Sequence, residues 1–189
     1  MKLANRLINL KNTPFLAFTA LNTVILFAGL SLYWVLWGWM ATSADLVLLQ
    51  SGIASIVFSI QNAFGVPITM TSGTSFFYAL PEPGFGVEII PLCIGLGEML
   101  FFSFLLLFFR GVHWRCKVKG LAIFLPVVFA INIFRLLLLY PLAQAYGVEA
   151  MWDIHWHIWK WGMFAVIMAL FTVWYMFIAR NQIEHRIRR

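Results

Sequence analysis

The sequence predicts an all-α membrane protein, in which four to five transmembrane helices form a compact bundle with a short extracellular β-hairpin-like insertion. Of the 189 residues, 62% are hydrophobic and only 11% are charged, and the mean hydropathy is +0.89. Soluble globular domains carry about 25% charged residues, so the composition excludes that class. The chain contains no internal repeat, and we predict one integral membrane domain over residues 1–189.

The second observation is the length of the apolar segments. A helix needs about 20 apolar residues to cross a hydrocarbon core of about 30 Å. Four segments are long enough to be predicted as spans: 14–38, 91–109, 120–140 and 157–179. The third observation is that lysines and arginines cluster at 110–119 and from 180 onward, which assigns both regions to the cytoplasm by the positive-inside rule. Residues 67–90 and 141–156 are therefore predicted to lie outside.

The net charge of +6 comes largely from the lysines and arginines of these clusters. A nucleic-acid-binding protein spreads its basic residues along one face, whereas here they flank apolar segments and act as topology signals. We therefore predict a multi-pass protein of the cell membrane that contacts membrane lipids and binds no nucleic acid.

Residues 43–64 leave the topology open. Lys2, Arg6 and Lys11 predict a cytoplasmic N-terminus, and with an exterior at 67 this allows only one crossing between them. Polar side chains recur at helical spacing along this segment: Gln50, Ser51, Ser55, Ser59 and Asn62. They favour an amphipathic helix at the outer interface. The alternative is an additional span that packs through its small residues. The following residues 66–90 combine β-prone residues with Ser-Gly and Pro-Gly turns, which predicts one or two short extracellular strand pairs.

Ionisable residues inside spans are costly and are therefore candidates for function. Arg135 lies five residues before the outer end of its predicted span, and Asn132 lies on the same helical face. Glu98 lies about 7 Å along its helix from Cys93 and could be the counterion of Arg135. Two simpler interpretations stay open, namely that Arg135 extends to the interface and that Glu98 forms only a structural ion pair.

Cys93 follows Pro91 at the predicted start of the span 91–109. Proline suits the first turn of a helix, and the positive end of the helix dipole lowers the pKa of a thiol. A nearby imidazolium or guanidinium would favour the thiolate further. The alternative is a small apolar cysteine that packs between helices.

His155 and His157 lie where the last span begins, and Asp153 precedes them. Each histidine alone could be a packing residue at the interface. The predicted topology, however, brings Cys93, Arg135 and both histidines to the outer membrane surface from three different helices. A thiol nucleophile, an acid/base and a fixed cation are the components of acyl transfer. We predict neither a metal nor a cofactor, because Cys93 and the two histidines lack a fourth ligand for zinc and Cys116 lies across the membrane.

Four features resemble the exosortase/archaeosortase family of membrane transpeptidases, over roughly residues 43–175. They are "FGVPITMTSG", a Val-Glu-Ile segment that enters "PLCIGL", "NIFRLLLL" as an Asn-x-x-Arg helix, and a histidine that opens the last span. Ile94 stands where the family usually has a small polar residue, and "HWHIWKWG" fits the family's histidine spacing only loosely.

The resemblance implies a protease and transpeptidase whose active site faces outside. It would cleave the C-terminal sorting signal of a surface protein through a cysteine thioester and transfer the protein to a lipid or glycan acceptor. When the family's functional residues are mapped onto this sequence, the resemblance implies that Cys93 is the nucleophile, that Arg135 contacts an oxyanion or a substrate carboxylate, and that His157 is the acid/base. The further candidates for a catalytic or supporting role are His155, Asn132, Glu98 and Asp153.

Two other functions remain open from the residues alone. In a small membrane transporter, Glu98 and Arg135 would line a polar pathway, and solute flux would not respond to thiol alkylation. In a non-catalytic membrane scaffold, the 17% aromatic content would form a binding surface, although Trp and Tyr are common at membrane interfaces in general.

Overall fold

The computed structural model describes residues 20–21, 23–39, 46–71, 77–79 and 86–179. These residues are mainly helical, which agrees with the predicted all-α membrane class. The helices are α1 (Thr23–Trp39), α2 (Val47–Ala63), α3 (Leu96–Phe108), α4 (Trp114–Leu137), α5 (Leu139–Tyr146), α6 (Val148–His157) and α7 (Met163–Trp174). Parts of the predicted segments 14–38, 43–64 and 66–90 lie outside the described residues.

Two helical runs dominate the described part of the chain. Helices α4 and α5 form the run Trp114–Tyr146, and α6 continues through α7 as the run Val148–Ala179. With 33 and 32 residues, each is about 50 Å long and exceeds the hydrocarbon core of about 30 Å. Among the described residues, these two runs are long and apolar enough to cross a membrane, whereas α1, α2 and α3 are shorter. The predicted spans 120–140 and 157–179 lie within them, and the total number of spans stays a prediction.

A tight turn at Gly147 joins the two long runs. Gly147 has φ +84°, a conformation that glycine adopts without the steric cost a side chain would add. Helices α5 and α6 pack against each other on the two sides of this turn. The stretch 141–156, predicted to lie between two spans, is therefore helical on both sides of Gly147.

The second long run contains two π-helical turns, Ile158–Gly162 and Tyr175–Ala179. A π-turn adds a residue to one turn of helix and rotates the side chains that follow it, and such turns are frequent at functional sites. The first of them carries Trp159, directly after the histidines of α6.

Three short strands form an antiparallel sheet in the order β1 (Thr69–Thr71), β2 (Phe77–Ala79) and β3 (Gly86–Glu88). In the register, Thr69 lies opposite Ala79, and Phe77 lies opposite Glu88. All three strands fall within residues 66–90. Their position outside the membrane stays a prediction. The sheet matters for the site because β3 leads directly into the turn that carries Cys93.

Helix α2 packs on this part of the protein through one face. Its buried residues are Gln50, Ile53, Ala54, Val57 and Gln61. The hydroxyl groups of its three serines donate hydrogen bonds to carbonyls of their own helix. The prediction that Gln50 shares a polar face with the serines is therefore wrong, because Gln50 repeats with positions 54, 57 and 61, whereas Ser51 repeats with positions 55 and 59.

Two apolar clusters hold the helices together. The first joins α2, the end of β3 and the α4–α6 region, and includes Val57, Ile89 and Met151. The second joins α3, α4 and α7, and includes Phe102 and Trp174, both fully buried. Cys93 packs against the first cluster, in which α2, the end of β3 and helices α4 to α6 meet.

Candidate active site

A short 3-10 turn presents Cys93. Strand β3 continues through Ile89 and Ile90 to the turn Pro91–Cys93, in which proline occupies the first position. The backbone N–H of Cys93 donates to the Ile90 carbonyl at 2.8 Å. Gly95 then adopts φ +75° before α3 begins at Leu96. Cys93 therefore lies in a turn before the helix, and not in the first helical turn that the predicted span 91–109 implied.

Asn132 connects this turn to α4. Its side-chain amide donates to the Cys93 carbonyl at 2.9 Å, and the side chain is completely buried. A Cβ atom at Gly95 would lie 2.7 Å from Cγ of Asn132, closer than carbon atoms approach without displacement. The positive φ and the close approach together require glycine at this position.

A cavity of about 570 Å³ brings the main candidates together. Its lining includes Cys93 from the turn, Arg135 from α4 and His155 from α6. The carboxylates of Glu88 and Asp153 line it as well, and its aromatic walls are Trp152, Trp156 and Trp159. A volume of this size is typical of a site for a small molecule or a short peptide segment.

Arg135 is the buried cation of the cavity, with only 3% of its surface exposed. Its Nη1 lies 3.9 Å from Oε1 of Glu98, which is ion-pair distance but too long for a hydrogen bond. Within the described residues, none of the three guanidinium nitrogens has a hydrogen-bond partner. Buried donors without a partner are costly, and these are available to a bound group with oxygen acceptors.

Glu98 connects Arg135 to the aromatic wall. Its Oε1 accepts a hydrogen bond from the indole N–H of Trp159 at 2.9 Å. A second cavity of about 300 Å³ lies between α1, α3 and α7, and its lining includes Glu98, Trp159 and Leu92. Since Trp159 and Leu92 belong to both linings, they form the shared wall of the two cavities. Sequence reasoning did not single out Trp159, because one tryptophan among nine carries no local signal.

The two histidines face different surroundings. His155 lines the cavity and makes an edge contact with Trp152 at 5.9 Å between ring centroids. His157 is exposed, is absent from the lining, and its Nδ1 lies 2.8 Å from the carbonyl oxygen of Asp153. Residues two apart on a helix point about 200° apart, so only one of them can face Cys93. His155 therefore shares the cavity lining with Cys93 and Arg135, whereas His157 lies outside it.

The sequence predicts a lowered pKa for the Cys93 thiol, but the surroundings of the thiol have the opposite effect. Burial raises the pKa of the Cys93 thiol above its ordinary value, and the backbone at Ile90 and the charge of Arg135 oppose this only in part. The carboxylates of Glu98 and Glu88 raise it further. A base beside the thiol is therefore needed to form the thiolate at neutral pH.

The comparison with protein families concerns nearly the whole chain. A family model described as transmembrane exosortase matches residues 10–173. The chain belongs to the transmembrane exosortase family. The matched range of this exosortase includes β3, the turn of Cys93, α4 and α6, and so every element that lines the cavity. The suspected family is confirmed, and the exosortase is a membrane protein.

No curated protein and no solved structure matches this exosortase. Among the residues that the structure describes, no three His, Cys, Asp or Glu side chains are grouped so that they could hold a metal ion.

Proposed function

We propose that this exosortase is a membrane cysteine transpeptidase that cleaves C-terminal sorting signals of surface proteins and transfers the proteins to a lipid or glycan acceptor. One observation carries the proposal: Cys93, Arg135 and His155 line the same cavity. They come from a turn and two helices that are far apart in sequence, and their side chains supply a nucleophile, a cation and an acid/base.

The first half of the reaction forms a thioester. The imidazole of His155 takes the proton of the Cys93 thiol, and the sulfur attacks the carbonyl carbon of the scissile peptide bond. The carbonyl oxygen becomes an oxyanion in the tetrahedral intermediate. When the intermediate collapses, the C–N bond breaks, the leaving amine takes the proton from the imidazolium, and the acyl group stays on sulfur.

The second half regenerates the enzyme. A hydroxyl or amino group of the acceptor attacks the thioester carbon and gives its proton to His155. The C–S bond then breaks, sulfur leaves as the thiolate, and the thiolate takes the proton back from the imidazolium. Bonds and protons balance without an oxidant or a reductant.

Arg135 is suited to stabilise the oxyanion in both halves. Its guanidinium is buried and has no hydrogen-bond partner among the described residues, so its donors need not leave another acceptor to reach a substrate oxygen. A fixed donor aimed at a developing oxyanion typically contributes about 10²- to 10³-fold in kcat. A carboxylate of the substrate is the alternative contact for the same fork.

An outward-facing cavity agrees with the distribution of charge along α4. The helix begins among basic residues, which include Arg115, and carries Arg135 near its other end. Twenty helical residues separate these two positions by about 30 Å, the thickness of the hydrocarbon core. If the basic end lies in the cytoplasm, the cavity opens at the outer leaflet.

The proposal is tested by co-expression with a surface protein that ends in a proline-containing motif, an apolar segment and an arginine cluster. The surface protein carries one tag before the motif and another at its C-terminus. We expect the two tags to separate only when the exosortase is present. Intact tagged protein at equal levels in both strains would contradict the proposal.

The two histidines provide the first specific prediction. His155→Ala should reduce the rate of tag separation about 10²- to 10⁴-fold, because the thiol loses its base. His157→Ala is the matched change two residues away, and it should stay within about threefold of the wild type. Quantitative immunoblotting of both tags over time provides the measurement. Equal loss in both variants, or loss only in His157→Ala, would contradict the assignment of His155.

A further inference from the structure

Two buried side-chain amides hold the segment that carries Cys93. Gln50 of α2 donates from Nε2 to the Ile89 carbonyl at 2.6 Å. Asn132 of α4 donates from Nδ2 to the Cys93 carbonyl at 2.9 Å. The two acceptors lie at either end of residues 89–93, so the turn is attached at both ends to helices that are distant in sequence.

We propose that Gln50 is a positioning residue for Cys93, and that it acts together with Asn132 by fixing the backbone of residues 89–93. The inference rests on the proposed function, in which Cys93 is the nucleophile. Gln50 is not among the residues that line the cavity, and its effect on the reaction is exerted through the backbone of the turn.

The burial of both partners makes the Gln50 contact strong. Gln50 is 7% exposed and Ile89 is 0% exposed, so little water can replace the amide at the Ile89 carbonyl. A buried carbonyl that loses its donor is destabilising, so the backbone is expected to shift toward another partner. Here the backbone that would shift is the segment that carries the nucleophile three residues later.

Only three residues separate Ile89 from Cys93, so a small shift of the Ile89 backbone can move the reacting sulfur. Between them lie Ile90, Pro91 and Leu92, and proline fixes the backbone φ of its own position. A displacement of the Ile89 backbone is therefore expected to displace the 3-10 turn as well. A displacement of about 1 Å at a reacting atom can cost about 100-fold in rate.

Gln61 offers a matched control on the same helix. It is also 7% exposed, and its amide also donates to a backbone carbonyl, that of Leu137, at 3.4 Å. That acceptor lies at the end of α4 and is not part of the segment of Cys93. Loss of either amide removes a hydrogen bond between α2 and another element, buried at Gln50 and part-buried at Gln61, but only the loss at Gln50 frees the turn.

The test compares Gln50→Met with Gln61→Met in purified full-length protein that also carries Cys116→Ser. One readout is the rate constant for alkylation of Cys93 by iodoacetamide, followed by mass spectrometry. The other is the kinetics of a peptide that the wild type cleaves. For Gln50→Met we expect alkylation at least about threefold faster, because the thiol is less confined, and kcat at least about tenfold lower with KM changed less than about threefold.

Gln61→Met should leave the alkylation rate and kcat within about twofold of the parent protein, although its melting temperature falls because a hydrogen bond of α2 is lost there too. Equal changes of alkylation rate and kcat in the two variants would overturn the inference. If Gln50→Met does not fold, Gln50→Asn and Gln61→Asn replace the pair, since asparagine keeps the amide but is too short to reach the same carbonyl. Alkylation requires no catalysis, so this readout tests the positioning of Cys93 even if the proposed transpeptidase activity fails.

Discussion

Cys93→Ala is expected to abolish tag separation while the protein stays folded. The change removes the only thiol that lies with Arg135 and His155 on the cavity wall within the described residues. Loss of a covalent nucleophile lowers turnover by at least about 10³-fold. Cys93 is only partly buried, so the loss of one sulfur atom should cost less than about 2 kcal/mol of stability. Immunoblotting of the tags and a thermal melt in detergent provide the two measurements.

Cys116→Ala is the control for this prediction. Cys116 lies near the start of α4 and packs on the second apolar cluster, away from the cavity. We expect its processing rate to stay within about threefold of the wild type. Full activity of Cys93→Ala, or equal loss in both cysteine variants, would contradict the role of Cys93.

Arg135→Lys should reduce processing about 10²- to 10³-fold, although the positive charge is kept. Lysine presents a compact ammonium and cannot form the planar, two-pronged contact that a guanidinium makes with an oxyanion or a carboxylate. The ion-pair distance of 3.9 Å to Glu98 requires only a charge, so lysine can still balance that carboxylate. The initial rate of tag separation at matched expression levels measures the loss.

Arg115→Lys provides the comparison for the arginine. Arg115 is exposed at the start of α4, where the positive charge alone determines the topology. This variant should insert and process its substrate as the wild type does. Unchanged processing by Arg135→Lys would leave Arg135 with a structural role and would remove the oxyanion contact from the mechanism.

The class of the protein and its family could be predicted from the sequence because they depend on composition and on short motifs. The apolar segments around 120–140 and 157–179 identify the two long helices, and "PLCIGL" with "NIFRLLLL" identifies the family. The clustering of Cys93 and Arg135 followed from topology alone, since both positions were assigned to the same side of the membrane. These inferences require no knowledge of how the helices are rotated.

Helix rotation is what the sequence could not provide. The spacing of His155 and His157 shows that they face opposite directions, but not which of them faces Cys93. That depends on the turn at Gly147 and on the packing of α5 against α6. The same limit applies to Gln50, whose neighbours in sequence are serines on the other face of α2. Its acceptor, the Ile89 carbonyl, belongs to a segment 39 residues away.

The expected acidity of Cys93 is opposed mainly by burial, which raises the pKa of its thiol, and the expected position of the residue in its helix differs as well. The helix-dipole argument assumed that the helix begins at Pro91, whereas Gly95 adopts a left-handed conformation and α3 begins at Leu96. Sequence reasoning places a helix boundary only to within a few residues. Here that difference puts Cys93 before α3 instead of in its first turn. In the proposed mechanism, deprotonation of this thiol is therefore assigned to a neighbouring base, His155.

The central claim is that Cys93 carries the substrate as a thioester. The most direct measurement is mass spectrometry of the Cys93 peptide after acid quenching of the exosortase during processing of its tagged substrate. We predict an added mass equal to the acyl group of the substrate fragment that precedes the scissile bond, which after digestion is the peptide ending at the cleaved carbonyl, present on Cys93 alone and removed by hydroxylamine. Cleavage of the substrate with the acyl group on another residue, or with Cys93 unmodified at every time point, would contradict the claim.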